Sequence, residues 1–351
     1  MAPITTVTGV TAEASRAPAA APAVSVVMPA YNVAQYVGEA LDSVFAQTFK
    51  DLEVIVVNDG SPDTAELERA LAPYLARIVY LKQENAGPSA ARNAGILRAR
   101  GRWVALLDGD DVWLPNYLEG QLDALAADPG LDLVYCDALL FGDGDVVGRT
   151  FMQTCPSRGP VTVESLLGQR CVVITSCVVA SREALVRAGL FNEGYRRSED
   201  FDLWVRLAHG GARLGYQTRV LARHRMRPDS LASDSARMHE SAIGVYADLA
   251  RSLELTPRER ALAEAEIENY RCDLALAAGK RQLAAGDYAR AAEELSRARG
   301  LGRGSHLRGL KLGLALLCVR AAPGLARRLY LKRRGPARPT REAKTDAHGT
   351  L

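Results

Sequence analysis

Trp103-Val104-Ala105-Leu106-Leu107-Asp108-Gly109-Asp110-Asp111-Val112-Trp113-Leu114-Pro115 passes from an apolar run into three carboxylates and back to apolar residues. The run Trp103 to Leu107 reads as a buried strand. The return at Val112-Trp113-Leu114 argues that the acidic turn is held against a core. Three carboxylates on one tight turn repel one another and persist where a cation sits among them. Hard oxygen ligands suit Mg2+ or Mn2+, which also keep water and phosphate ligands. The competing reading is a solvated Asp-Gly turn with no ligand, and the surrounding sequence has to decide between them.

Towards the N-terminus, Val24-Ser25-Val26-Val27-Met28-Pro29 is a second short apolar run, expected as a buried strand. Asn32 is expected to cap a helix carrying Val37, Ala40, Leu41, Val44 and Phe45 at helical spacing. A strand follows at Glu53 to Val57 and stops at Asn58-Asp59-Gly60-Ser61. A helix (about Asp63 to Leu75), a strand (Ile78 to Leu81) and a helix (Ser89 to Arg98) lead back to Trp103. Alternation at this spacing predicts an α/β fold with a mostly parallel sheet and helices on both faces. Ligands of open α/β sheets bind beyond the carboxyl ends of the strands. Here those ends carry Ala30-Tyr31-Asn32, Asn58-Asp59-Gly60-Ser61 and Asp108-Gly109-Asp110-Asp111, which predicts one shared site.

Three further groups bear on that site. Asp59 is either an Asx-turn residue capping the next helix or an acceptor for a nucleotide base or ribose. In Asn85-Ala86-Gly87-Pro88-Ser89-Ala90-Ala91-Arg92-Asn93, Gly87 allows close backbone approach and Pro88-Ser89 opens a helix. Arg92, in its first turns, reaches either a phosphate or a carboxylate of the acidic turn. Ser198-Glu199-Asp200-Phe201-Asp202-Leu203-Trp204 reads as a helix start with acids in its first turn. Those acids either complement the helix dipole or include a general base.

From about Leu131 to Met226 the pattern turns to α+β, with strand-like runs at Leu133 to Tyr135, Val146 to Phe151 and Ile174 to Ala180. From about Ser235 it is helical. Ala277, Gly279, Leu283, Gly286, Asp287, Tyr288, Ala291 and Leu295 stand at the positions of a tetratricopeptide-like helical hairpin. The expected organisation is a leader at 1–23, a sheet-bearing domain at 24–232, a helical domain at 233–332 and a basic tail at 333–351. Leader and tail are rich in small, Pro or charged residues and are expected to be disordered.

The 351 residues carry 48% hydrophobic and 24% charged side chains, ordinary for a folded protein, and a net charge of +3 gives no case for nucleic acid. Six cysteines without a C-x-x-C pair, mostly in apolar runs, are expected to be reduced and buried. Met1 to Ala23 lacks the basic start and apolar run of a secretion signal, and no stretch reaches the roughly 18–20 apolar residues of a membrane span. Basic residues gather after Arg297, where Leu310, Leu314, Leu317 and Cys318 fall at helical spacing. That segment is either a basic amphipathic surface for anionic lipid or a terminal helix packed on its own domain.

Taken together and in this order, Pro29-Ala30-Tyr31-Asn32, Asn58-Asp59-Gly60-Ser61, Asn85 to Gly95, Leu107-Asp108-Gly109-Asp110-Asp111 and Ser198-Glu199-Asp200 resemble the family 2 glycosyltransferases, which share the GT-A fold. The resemblance covers roughly Val24 to Ser230. It implies an inverting, metal-dependent transferase moving a sugar from a nucleoside-diphosphate sugar, a UDP-sugar by expectation, to a hydroxyl acceptor in bacterial-type cell-surface polysaccharide or glycolipid synthesis. It implies that Pro29, Ala30 and Tyr31 lie at the nucleobase, that Asp59 hydrogen-bonds it, and that Asn85, Gly87 and Arg92 shape the donor pocket. Asp108 would contact ribose or metal, Asp110 would ligate Mn2+ or Mg2+, and Asp200, with Glu199 beside it, would be the catalytic base. Partners would be the nucleotide sugar, a glycan, glycolipid or protein acceptor, and an anionic membrane, with no nucleic acid; the expected location is the cytoplasm, at the inner face of the membrane when the basic segment is engaged. One departure stands out: Arg227, in Arg223-His224-Arg225-Met226-Arg227, occupies the position where the pattern has histidine, and His224 reads as structural. Two other classes compete. A nucleotidyltransferase would need a Gly-rich phosphate loop after the first strand, which Pro29-Ala30-Tyr31-Asn32 does not supply; a non-catalytic scaffold would leave the acids unexplained.

Overall fold

The computed structural model describes residues 5–6, 21–301 and 306–334. Apart from residues 5–6, 21–23 and 333–334, the expected leader and tail lie outside the described residues. The chain divides into two compact units, Met1–Ile267 and Glu268–Leu351. The sequence reading placed this division at 232/233. The helix Ser235–Ser252 instead joins the first unit, because its apolar face is used there: Val245, Tyr246 and Leu249 are buried, Tyr246 donates to the Leu167 carbonyl, and its ring stacks on Phe201.

In the first unit the strands are β1 (Thr5–Thr6), β2 (Val24–Ala30), β3 (Leu52–Asp59), β4 (Val79–Gln83), β5 (Trp103–Leu106), β6 (Val112–Trp113), β7 (Leu133–Gly142), β8 (Val178–Ser181) and β9 (Leu214–Met226). They form one sheet in the order β1-β4-β3-β2-β5-β8-β7-β9-β6. The run β4-β3-β2-β5 is parallel throughout, as the alternation of strands and helices requires. The far half is mixed, with β8 antiparallel to both β5 and β7 and β9 parallel to β7. β2 and β3 are central strands whose middles, Val26 to Met28 and Val54 to Val57, are apolar because both faces are covered. Val24, Val26 and Met28 join Val37, Leu41 and Val44 of the helix Val37–Phe45 in one core. On the opposite face the helix Pro88–Arg98 comes so close that a Cβ on Gly95 would collide with Val27, so only glycine permits this approach.

Three local expectations change. Asn32 is not a helix cap: it sits at φ 54°, and the helix begins five residues later with Tyr36 at the cap position. Val146 to Phe151 is no strand, because Thr150 and Gln153 form a reciprocal capping box that starts the short helix Phe151–Thr154. Ile174 to Ala180 splits into a 3-10 turn, Thr175–Cys177, and β8. The longest strand, β9, and the two-residue β6 carry charged or mixed residues and give no clean apolar signal.

In the second unit, Cys272, Ala275, Leu283, Ala291, Leu295 and Ala298 pack with Leu312, Leu316 and Val319. The turn at Gly286 joins Pro257–Ala285 to Tyr288–Leu301, and Gly279 faces Leu295 as its small size requires. All six cysteines are outside disulfides, but Cys318 is exposed rather than buried. Among the described residues, no helix is long and apolar enough to cross a membrane.

Candidate functional site

The polar ends of β2, β3 and the Asp108 turn lie along one edge of the sheet, and β9 delivers their counter-charges. β6 pairs antiparallel with β9, setting Val112 opposite Arg223 and Trp113 opposite Ala222. This register places His224 and Arg225 on the acidic turn immediately before β6. His224 Nδ1 lies 2.9 Å from Asp111 Oδ2, and the Arg225 amide donates to Asp111 Oδ1 at 2.7 Å. Burial disfavours the His224 cation, yet the charge and hydrogen bond of Asp111, with Asp108 and Asp110 adding, raise its pKa to about 9. Burial would also raise Asp111, but His224 and its hydrogen bonds bring it below the usual carboxylate range. Asp111 and His224 are therefore an ion pair that fixes the turn, as a structural histidine would.

Asp110 behaves differently. Burial, then repulsion from Asp111 and Asp108, push its carboxyl up to about 6, although Arg227 opposes the shift. Arg227 Nη1 donates to Asp110 Oδ2 at 2.9 Å. Asp108 accepts from Arg92 on Oδ1. Among the described residues the second oxygens, Asp108 Oδ2 and Asp110 Oδ1, have no hydrogen-bond donor. No group of three or more His, Cys, Asp or Glu side chains among the described residues is placed to cage a metal. Two under-compensated carboxylates with free oxygens nevertheless fit Mg2+ or Mn2+, which bind through one or two carboxylates and complete their shell with phosphate and water.

Arg92 is the buried link across the site. Nη2 donates to Asp108 Oδ1 and Nη1 to Glu199 Oε1, each at 2.7 Å, with Phe191 beneath the guanidinium. Both Nη atoms face protein carboxylates, which is the ion pair offered as one of the two readings of Arg92. Glu199 is buried in the same pair. Asn93 and Ser89, on the same helix, hold the segment leading to Glu199: Asn93 exchanges hydrogen bonds with both the amide and carbonyl of Phe191, and Ser89 donates to the Tyr195 carbonyl.

Asp200 is half-buried at the start of the helix Glu199–His209. Its Oδ2 accepts from Thr175 at 3.1 Å and its Oδ1 from the Phe201 amide at 2.8 Å. Burial, then the charge of Glu199, raise its pKa to about 6. A carboxylate so placed is a stronger base than an exposed one.

Asp59 corrects one expectation. It does not cap the following helix; Asn58 makes that turn, accepting from the Ser61 amide. Asp59 accepts from Gln83 Nε2 and the Ala86 amide on Oδ1, and from the Gly87 amide on Oδ2. It is thus the organiser of the Asn85 to Gly87 loop, with one lone pair left on Oδ2. Gly60, at φ +59°, lets this loop approach: a Cβ there would stand 2.6 Å from the Asn85 amide nitrogen. Asn85 donates to the Asp59 carbonyl and accepts from Arg196. Tyr31 is half-exposed beside the same edge, Ala30 is buried, and the Pro29 carbonyl lies against Gly109.

Sequence reading missed Thr175, Ser176 and Arg225. Ser176 receives the Asp108 amide, and Arg225 Nε donates to the Asp110 carbonyl. The signal for the first two was a polar pair inside the apolar run Val172 to Ala180.

Residues 25–186 match the model of the family described as Glycosyl transferase family 2. An uncharacterized glycosyltransferase of Rickettsia prowazekii is 36% identical over 191 residues, which is 53% of this chain and 58% of the relative, so the chain spans little over half of that relative. The mannosyltransferase PcManGT of Pyrobaculum calidifontis, solved with GDP-Man and Mn2+, superposes with a TM-score of 0.59 at 20% identity, covering 92% of this chain and 88% of its own. S. aureus TarS, solved with UDP-GlcNAc, superposes with a TM-score of 0.56 at 17% identity, covering 89% of this chain and 92% of its own. At such identities these two likenesses speak for the GT-A fold alone.

Proposed function

We propose that this chain, whose residues 25–186 match the family 2 glycosyltransferase model and lie on a GT-A fold, carries out an inverting, metal-dependent transfer from a nucleoside-diphosphate sugar, a UDP-sugar, to a hydroxyl acceptor of a surface polysaccharide or glycolipid. The observation that carries the reading is the Arg92 bridge, which fixes the acidic turn and the Asp200 helix start in one frame. Tyr31 would lie on the nucleobase, and Asp59 Oδ2 would accept from it while shaping the Asn85 to Gly87 wall. Asp108 would meet the ribose. Asp108 and Asp110 would hold Mn2+ or Mg2+, which when bound neutralises the departing diphosphate. Asp200 would take the acceptor hydroxyl proton as that oxygen attacks the anomeric carbon from the face opposite the leaving group. The neighbours solved with GDP-Man and Mn2+ and with UDP-GlcNAc support this class of donor.

A panel of UDP-, GDP-, TDP- and CMP-sugars, with and without Mn2+, tests it by thermal shift and by release of nucleoside diphosphate. Stabilisation and turnover by one nucleotide series, lost with Asp110→Asn for binding and Asp200→Asn for turnover, is the expected result. No response to any donor would remove the reading.

The proposed membrane contact rests on the second unit. In the helix His306–Ala321, Leu312, Leu316 and Val319 are buried, while Leu310, Leu314 and Leu317 are 71%, 63% and 61% exposed. At 100° per residue these stripes lie on opposite sides. The exposed stripe is the one whose spacing the sequence displays, so packing on its own domain does not account for it. Leu325 and Leu329 of the next helix are also exposed. From Leu295 to Arg341 the chain has thirteen Arg and Lys and no Asp or Glu. An exposed apolar stripe in a stretch of sequence rich in Arg and Lys fits an anionic bilayer.

A further inference from the structure

Arg227 is bound more completely than a surface arginine needs to be. Its side chain is only 7% exposed. Nε and Nη2 grip Asp229 at 3.0 and 2.8 Å, Nη2 also reaches the Asn32 carbonyl at 3.3 Å, and Nη1 is left for Asp110 Oδ2 at 2.9 Å. Tyr36 lies under the guanidinium at 4.7 Å. Of the other cations nearby, Arg225 is paired with Glu39 and with the backbone carbonyl of Asp110, not with its carboxylate, and His224 is paired with Asp111. Arg227 is therefore the cation on the Asp110 carboxylate: it holds Oδ2 and leaves Oδ1 for the proposed metal.

We propose that Arg227 is a resident counter-cation that competes with the divalent metal for Asp110, so that metal binds weakly alone and tightly only together with a nucleoside diphosphate. This rests on the donor-and-metal reading above. The physical reason is charge. A divalent ion entering beside a fixed guanidinium meets repulsion from it and binds a carboxylate whose charge is already opposed by a charge-assisted hydrogen bond on its other oxygen. A diphosphate brings the negative charge that lets both cations remain, and coupling between metal and diphosphate is reciprocal. Histidine at this position, neutral, would impose no such competition. The consequence is ordered loading: the protein discriminates against free metal and accepts the metal–diphosphate pair.

The test is Mn2+ binding to the full chain followed by the paramagnetic resonance of free Mn2+, with and without UDP, in wild type, Arg227→Gln, Arg227→Lys and Asp110→Asn, folding being checked by circular dichroism. Arg227→Gln is expected to tighten Mn2+ binding without UDP about tenfold and to shrink the UDP-induced enhancement by a similar factor. Arg227→Lys, which keeps the charge, is expected to stay within threefold of wild type. A folded Arg227→Gln protein whose UDP-free Mn2+ affinity is within twofold of wild type overturns the proposal, as does an Arg227→Lys protein that behaves like Arg227→Gln. If Asp110→Asn binds Mn2+ with UDP as well as wild type does, the metal reading of the acidic turn falls and this proposal with it; if that variant loses binding while Arg227→Gln is unchanged, only the competition falls.

Discussion

Asp108 and Glu199 sit at the two ends of one buried guanidinium, each 2.7 Å from a nitrogen of Arg92. One side chain thus joins the acidic turn directly to the helix that carries Asp200.

Removing that side chain leaves two carboxylates without their cation, one of them buried. Arg92→Met is expected to cost about 3–5 kcal/mol of stability, the range for breaking a buried ion pair from one side. Urea denaturation followed by tryptophan fluorescence measures it. A loss under 1 kcal/mol would mean that Arg92 is not the strut described.

In the proposed mechanism Asp200 is a base only when ionised, and burial with the nearby Glu199 charge raises its pKa to about 6. With metal, donor and acceptor saturating, kcat should be flat above that value and fall about tenfold per pH unit below it. Asp200→Asn should lower kcat by about 10²–10⁴-fold, with donor KM within threefold and a melting temperature no lower than wild type. A pH–rate profile on both proteins decides this, and an Asp200→Asn enzyme with near-normal kcat would move the base elsewhere.

Gly60→Ala places a methyl group against the Asn85 amide at a left-handed backbone position. The loop that Asp59 organises must shift, so nucleotide affinity is expected to fall about tenfold or more, alongside a stability loss of about 1–3 kcal/mol. Calorimetric titration with UDP and Mn2+ reads the first effect, and thermal unfolding reads the second.

Leu314→Asp changes an exposed residue and is expected to leave thermal stability and sugar transfer in solution unchanged. Sedimentation with vesicles containing phosphatidylglycerol should show binding by wild type that weakens with salt and is reduced at least fivefold in the variant. Wild-type protein that ignores anionic vesicles would remove the membrane from the account.

The parallel half of the sheet was readable because its strands are buried on both faces and their apolar runs stop at polar ends; Val24–Ala30 and Trp103–Leu106 are such cases. β9 was not readable. It is a long strand whose two ends have different jobs, a packed stretch at Leu221 and Ala222 and a charged stretch at Arg223 to Met226. Its charges look like surface until β6 brings the acidic turn to them. Among the candidate site residues, identity was legible but partnership was not. Asp59 and Arg92 both stand at the predicted edge, and both turn their polar atoms towards protein groups that lie 16 to 107 positions away in the chain.

His224 lies 113 positions after Asp111, and Arg227 lies 117 after Asp110. In order of synthesis Asp110 and Asp111 come first and their cations come more than a hundred residues later, whereas Arg92 precedes its partner Asp108. A nascent chain therefore carries Asp110 and Asp111 without their cations until β9 has emerged and docked. The sheet edge cannot be completed cheaply before that point, so closure of the catalytic edge is tied to the last strand of the first unit. A chain stopped short of Met226 would keep most of its apolar core and lack the groups that let its acidic turn stay folded.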